Sequence, residues 1–183
     1  MGQVWSDISE ENAAFINAQK LFFVATAPHD GRVNVSPKGL NSFKIIDNHT
    51  VAYLDMSGSG NETAAHVLEN GRITFMFAAF EGPPKILRLY GDAEVIRPFH
   101  ASWDGLAARF EMLDGARQFF VAKIDRVATS CGFGIPIYEF QEERTRLTEW
   151  VHDMGPERLE DFCLTHNTES IDHLPTGYLN DEF

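Results

Sequence analysis

Cysteine is scarce in this chain. Cys131 and Cys163 are the only two in 183 residues, too few for a disulfide framework or a structural zinc site. The histidines at 29, 49, 66, 100, 152, 166 and 173 are scattered without metal-ligand spacing to one another or to a cysteine, which argues against metal catalysis. Long apolar runs are missing as well; none approaches the roughly 20 residues of a membrane span. The first residues, MGQVWSDISEEN, are acidic where a secretory signal is basic and then apolar. Positive charge is in deficit, with 15 basic against 27 acidic residues and a net charge of −12. An acidic chain without a basic stripe repels phosphate backbones, which disfavours nucleic acid as a partner. The expectation is a reduced, cytoplasmic protein that binds neither membrane nor nucleic acid. The deficit is uneven: residues 139–183 hold 12 acids and three bases, whereas residues 1–138 hold 15 acids and 12 bases. The first 138 residues therefore keep enough local donors for a small phosphorylated ligand.

Hydrophobic residues make up 44% of the chain and are spread along its length, enough for the core of one domain of ordinary size. Ser9 followed by Glu10 and Glu11 marks the start of a helix over 9–19. Aromatic and β-branched runs predict strands at 20–27, 33–36, 43–46, 50–55, 72–80, 85–97 and 117–130, with turns at His29-Asp30-Gly31, Asp47-Asn48-His49 and Glu81-Gly82-Pro83-Pro84. Ser59 and Glu62 stand in the capping-box relation, which predicts a helix from about Gly60 to Glu69 closed by Gly71. A further helix is expected over 100–114, and two acidic ones over about 142–153 and 156–167, Pro156 suiting a first helical turn. The tail from 168 reads as irregular. Short hairpins with inserted helices describe an antiparallel barrel with peripheral helices; the alternation of a doubly wound sheet is missing.

The segment SGSGNET, residues 57–63, carries the strongest chemical signal. A strand ending at Asp55 runs through glycines into a capped helix, leaving free backbone amides and the positive end of a helix dipole for a phosphate. Ser57, Ser59, Asn61 and Thr63 could add hydroxyl or amide contacts. The competing reading is a flexible linker with an ordinary N-cap, and neither the Walker nor the Rossmann spacing is present. Lys38, after Pro37 at a strand end, could pair with a ligand phosphate or be an ordinary surface lysine. In KILRLYG, alternation places Leu87 and Leu89 toward the core and Arg88 toward a groove or solvent. Cys131, in the glycine-rich bend CGFGIP, reads as a packing residue rather than a nucleophile.

Four segments in order, HDGRVNVSPKGLNSF, DMSGSGNETAAHVLENGRITFMF, AFEGPPKILRLYGDAEV and SCGFGIPIYEF, resemble the pyridoxamine 5′-phosphate oxidase-like FMN-binding proteins over roughly residues 12–142. The resemblance implies a mainly β fold, a six- to seven-stranded antiparallel split β-barrel of the FMN-binding type. Residues 1–141 would form the flavin-binding barrel with its N-terminal helix, and 142–183 an acidic helical extension of the same domain. It also implies a homodimer with FMN in clefts at the dimer interface. Lys38 would meet the phosphate or ribityl chain, and Ser59, Asn61, Glu62 and Thr63 match the stretch that grips the phosphate in relatives; Ser57 and Gly60 join them as candidates on the reading of the glycine loop alone. Arg88 would lie on the strand lining the flavin. Where true oxidases of the family carry Ser-Arg-Lys at the helix start, this chain has Asn61-Glu62-Thr63, and Val33 stands where they have an arginine. The resemblance therefore points away from pyridoxamine phosphate as substrate.

The resulting expectation is an FMN-dependent oxidoreductase acting on a small molecule, the flavin doing the redox chemistry. Two alternatives stand beside it: a deazaflavin-dependent reductase, and a flavin- or haem-binding carrier or sensor without turnover. The count of 15 phenylalanines adds a hint of dimerisation, as more apolar surface than one small barrel encloses.

Overall fold

The fold is described by a computed structural model covering residues 2–179. The chain enters through β1 (Val4–Trp5) and α1 (Glu10–Ala18), then forms β2 (Phe22–Thr26), β3 (Asn34–Lys38), β4 (Phe43–Asp47) and β5 (Thr50–Met56). Helix α2 (Glu62–Asn70) leads to β6 (Arg72–Ala78) and β7 (Ile86–Ile96); α3 (Trp103–Ala107) leads to β8 (Ala116–Ser130). Helices α4 (Arg146–Met154) and α5 (Pro156–His166) follow. Hydrogen bonding orders the strands β3-β2-β6-β7-β8-β5-β4, with β1 added to β8 and every pairing antiparallel. This is the mainly β, antiparallel split barrel with peripheral helices that the sequence leads one to expect.

Side-chain alternation explains how the sheet curls around its core. In β7, Leu87 and Leu89 are fully buried while Ile86, Arg88 and Tyr90 remain half-exposed on the other face. Phe22, Phe43, Tyr53, Phe75, Phe77 and Phe120 fill the interior, mostly edge to face, with Tyr53 and Phe120 stacked at 4.9 Å between ring centres. The neighbouring Phe119 points the other way, into a second core with Trp103 and Phe110 at 4.8 and 5.0 Å. The barrel bends sharply where the β7–β8 register shifts beside Gly91. A side chain at Gly91 would run into the Lys123 carbonyl, so only glycine permits this close crossing.

Three local expectations are corrected. The helix over 100–114 is a short one, Trp103–Ala107, followed by tighter turn bonds from Arg109 to Leu106 and from Phe110 to Ala107. Gly105 weakens it, and the chain turns so that Phe110 packs on Phe119 in the second core. The Ser59–Glu62 capping box does not form: Asn61 holds the N-cap position of α2 without a side-chain cap, and Glu62 instead accepts from the Ile171 amide at 3.0 Å. Helix α4 begins at Arg146 rather than near 142. By contrast, Ser9 caps α1 by accepting from the Asn12 amide, and Pro156 opens α5. Among the described residues, no helix is long and apolar enough to cross a membrane.

Candidate functional site

Strand β5 ends at a buried carboxylate. Asp55 accepts from Lys38 Nζ at 3.0 Å, from Arg117 Nε and Nη2 at 3.2 and 2.6 Å, and from Gln118 Nε2 at 3.0 Å. Two successive residues of one strand reach the same carboxylate because Arg117 is the extra residue of a β-bulge. Asp55 lies opposite Gln118 and Met56 opposite Ala116, leaving Arg117 without a partner across the ladder. A bulge of this kind re-aims a side chain and ends the pairing, and here it also releases β5 into the glycine loop. Burial opposes ionisation of Asp55, but Lys38 and Arg117 outweigh it and hold the carboxyl down to about 2.

Beyond the bulge, Gly58, Ser59 and Gly60 lead to the start of α2. Among the described residues, the Glu62 and Thr63 amides donate to no protein acceptor, whereas Ala64 and Ala65 both bond back to the Asn61 carbonyl. These are the first free amides of a nine-residue helix, where partial positive charge concentrates. They border a cavity of about 410 Å³ lined by Asn34, Ser36 and Lys38 of β3, by Ser59–Thr63, and by Arg117. Asn34 ties the two sides together by donating to Thr63 Oγ1 at 3.2 Å. The cations Lys38 and Arg117 are matched by the acids Asp55 and Glu62, so the lining carries no formal net charge.

The C-terminal extension fastens this loop. Asn167, fully buried, accepts from Arg117 Nη1 at 2.8 Å and donates to the Gly58 carbonyl at 2.9 Å. Its own carbonyl accepts from Asn61 Nδ2 at 3.2 Å and from Thr176 Oγ1 at 2.6 Å. A second tie joins Asp172 to Arg32 through both the amide and the guanidinium.

The sequence profile of the family described as "Pyridoxamine 5'-phosphate oxidase" matches residues 8–131. The chain is 37% identical over 175 residues to the pyridoxamine 5′-phosphate oxidase family protein ustO of Aspergillus flavus, covering 86% of this chain and 70% of that one. The chain belongs to the pyridoxamine 5′-phosphate oxidase family. Its fold is shared with a candidate pyridoxamine 5′-phosphate oxidase of Lactobacillus delbrueckii, at 20% identity and a TM-score of 0.53 over 67% of this chain and 94% of that one. HupZ of Group A Streptococcus shares it too, at 24% identity and a TM-score of 0.51 over 66% and 91%.

For this family member the structure brings together Lys38, Ser59, Gly60, Asn61, Glu62 and Thr63 around one cavity. Ser57 is not with them. It is buried, accepts a long 3.7 Å hydrogen bond from the Cys163 thiol, and lines a different cavity beneath α5. Arg88 is also set apart within the chain. The cross-strand row Arg88, Met76, Phe23, Pro37 stands on the outer face of the sheet, while Lys38, one residue beyond Pro37, turns to the other. The Arg88 guanidinium donates to Ser130 Oγ at 3.4 Å. Sequence reasoning missed Arg117, Gln118, Asn34, Ser36 and Asn167. An alternation rule cannot place Arg117 and Gln118 on one carboxylate, and nothing local marks Asn167 as buried.

Proposed function

We propose that the chain binds a flavin mononucleotide and serves as a flavin-dependent oxidoreductase for a small molecule. The observation that carries this reading is the pair of free amides at the start of α2, opening beside Lys38 onto a cavity of about 410 Å³, within the range of cofactor pockets. The donors fit a phosphate: two amides, the Lys38 ammonium and the Ser59 hydroxyl, while the Ser36 hydroxyl donates to Asn34 Oδ1 at 3.2 Å. They fit it through hydrogen bonds rather than surplus charge, because Asp55 and Glu62 offset the cations. Bound flavin supplies the hydride or electron transfer. The chain's own part is to hold and orient it. Asp55 fixes the Lys38 ammonium, the Arg117 guanidinium and the Asn167 clasp fix the glycine loop, and no side chain of the cavity is placed as an evident acid-base catalyst.

The same reading includes a homodimer whose outer sheet faces meet, with Arg88 of each barrel at the seam. Its support is apolar surface left bare: Val33 just before β3 and Val35 on it, and Phe133, Ile137 and Tyr138 on the segment after β8, are each 60% exposed or more. The purified protein is expected to show flavin absorption, or to acquire it when FMN is added, and to release FMN by mass on denaturation. A flat spectrum with and without FMN contradicts the reading; release of a deazaflavin instead moves the chain to the other cofactor.

A further inference from the structure

A second cavity, of about 570 Å³, lies between α5 and the barrel, and nothing in the reading above uses it. Its walls are largely apolar, from Phe99 and Pro98 after β7, Leu159 and Leu164 of α5, and Leu179. One of its lining groups is a buried cation. Arg97 is only 9% exposed, and among the described residues no carboxylate lies within ion-pair distance of it. Its Nη1 and Nη2 atoms donate to the Gly177 and Thr176 carbonyls at 2.7 and 2.6 Å, and its Nε–H is buried with no acceptor.

Buried charges are ordinarily paired, since an uncompensated one is expensive to desolvate. Among the described residues, only neutral carbonyls accept from it. The structure has gone to some length to keep the guanidinium in place: Gly177 has φ +70°, and a side chain there would meet Leu68 at 2.9 Å and Arg97 itself at 3.2 Å. Three further polar groups line the same space: Ser57, Tyr178 and the carboxylate of Glu160, which is exposed on α5 rather than buried with Arg97. Burial first, and then the adjacent Cys163 thiol, push Tyr178 up to about 12, so its phenol stays protonated and can donate. Arg117 also reaches this wall, and its guanidinium is already committed to Asp55, Gly60 and Asn167. It raises the positive potential without offering a free edge.

We propose that this cavity is a second binding site, for a small organic anion whose carboxylate meets Arg97 and whose apolar body fills the space beneath α5. A guanidinium at the end of an apolar slot, keeping a second N–H on each of Nη1 and Nη2 beyond the two carbonyl bonds, is an arrangement that selects carboxylates over their neutral isosteres. The site stands independently of the flavin reading, and its test needs no added cofactor.

The test is calorimetric titration of the full chain with benzoate and octanoate as probes, and with benzamide as the neutral counterpart. Saturable binding of a carboxylate probe at one per chain is expected, with benzamide at least about tenfold weaker. Arg97→Gln, which keeps donors but removes the charge, is expected to weaken the carboxylate by at least about tenfold. Because that change could also loosen the segment around Gly177, Leu159→Trp serves as a second variant; it fills the slot from α5, leaves Arg97 in place, and is expected to abolish binding. No saturable heat from either carboxylate up to about 1 mM overturns the proposal. So does benzamide binding as well as benzoate, or a carboxylate affinity that neither variant changes. A chain truncated after Leu179 that binds benzoate, where the full chain does not, assigns the cavity to the chain's own terminus and overturns it as well.

Discussion

Asp55 sits where two cations, a side-chain amide and the end of a strand converge, and its replacement is the most informative single change. Asp55→Asn leaves Arg117 buried without its anion, which costs about 3–5 kcal/mol for a broken buried pair; urea unfolding measures it. Ionisation adds a pH signature. The folded carboxyl is held at about 2 against an ordinary 3.8, so its contribution is complete above the ordinary value and is lost as pH falls from about 4 toward 2. Thermal unfolding of the native chain is expected to steepen across that window, and Asp55→Asn to flatten it. Glu62 argues in the opposite direction. Its carboxylate lies at the helix end proposed to receive a phosphate, so Glu62→Gln is expected to tighten FMN binding by about two- to fivefold, the worth of one charge at a helix terminus. Titration of both proteins decides it; an unchanged or weaker affinity places the phosphate elsewhere. At this scale the sequence revealed half of the site. Lys38 and the residues 59–63 were legible because a strand end and a glycine-to-helix junction have recognisable chemistry. Arg117 was not, because its placement depends on a bulge that no periodicity announces.

Strands and hairpins were the most readable elements, since their apolar alternation and turn residues act locally. The expected strands were all found, within a few residues of their bounds. Segments whose ends depend on distant packing were not legible: α3 shortened when Phe110 turned onto Phe119, and α2 lost its capping box when Glu62 found Ile171. Gly91 is a further case, required by a crossing between β7 and β8 that only the folded barrel creates. Gly91→Ala is expected to destabilise the chain by about 1–3 kcal/mol through overpacking at that crossing, seen as a lower midpoint in denaturant. The clasp is the element with the most direct consequence for the site. Asn167→Ala strips side-chain partners from Arg117 and Gly58 together, and each buried group left unsatisfied costs about 1–3 kcal/mol. Weaker FMN binding with retained far-UV circular dichroism is the expected outcome; full affinity in this variant means that the glycine loop is ordered without the extension.

The molecule as a whole is a barrel with two aromatic cores and an acidic extension drawn back over the glycine loop and the start of α2. The interior absorbs Phe22, Phe43, Phe75, Phe77 and Phe120, and the second core takes Phe119, so the phenylalanine count alone was a weak sign of dimerisation. The bare residues Val33 and Val35 are a stronger one. Light scattering is expected to give twice the 20.6 kDa of the chain, and Val35→Asp to return a monomer; a native monomer contradicts the seam. What the extension covers was not legible, because its acidic helices reveal only a solvated face and the contacts of Asn167 and Arg97 lie far away in sequence. The central claim is that the start of α2 holds the anionic tail of a flavin. Titrating FMN and riboflavin side by side tests it most directly, because the two differ only in that tail. FMN is predicted to bind at one per chain and about a hundredfold more tightly than riboflavin, the worth of two charge-assisted hydrogen bonds. Equal affinities, or binding of neither, would contradict it.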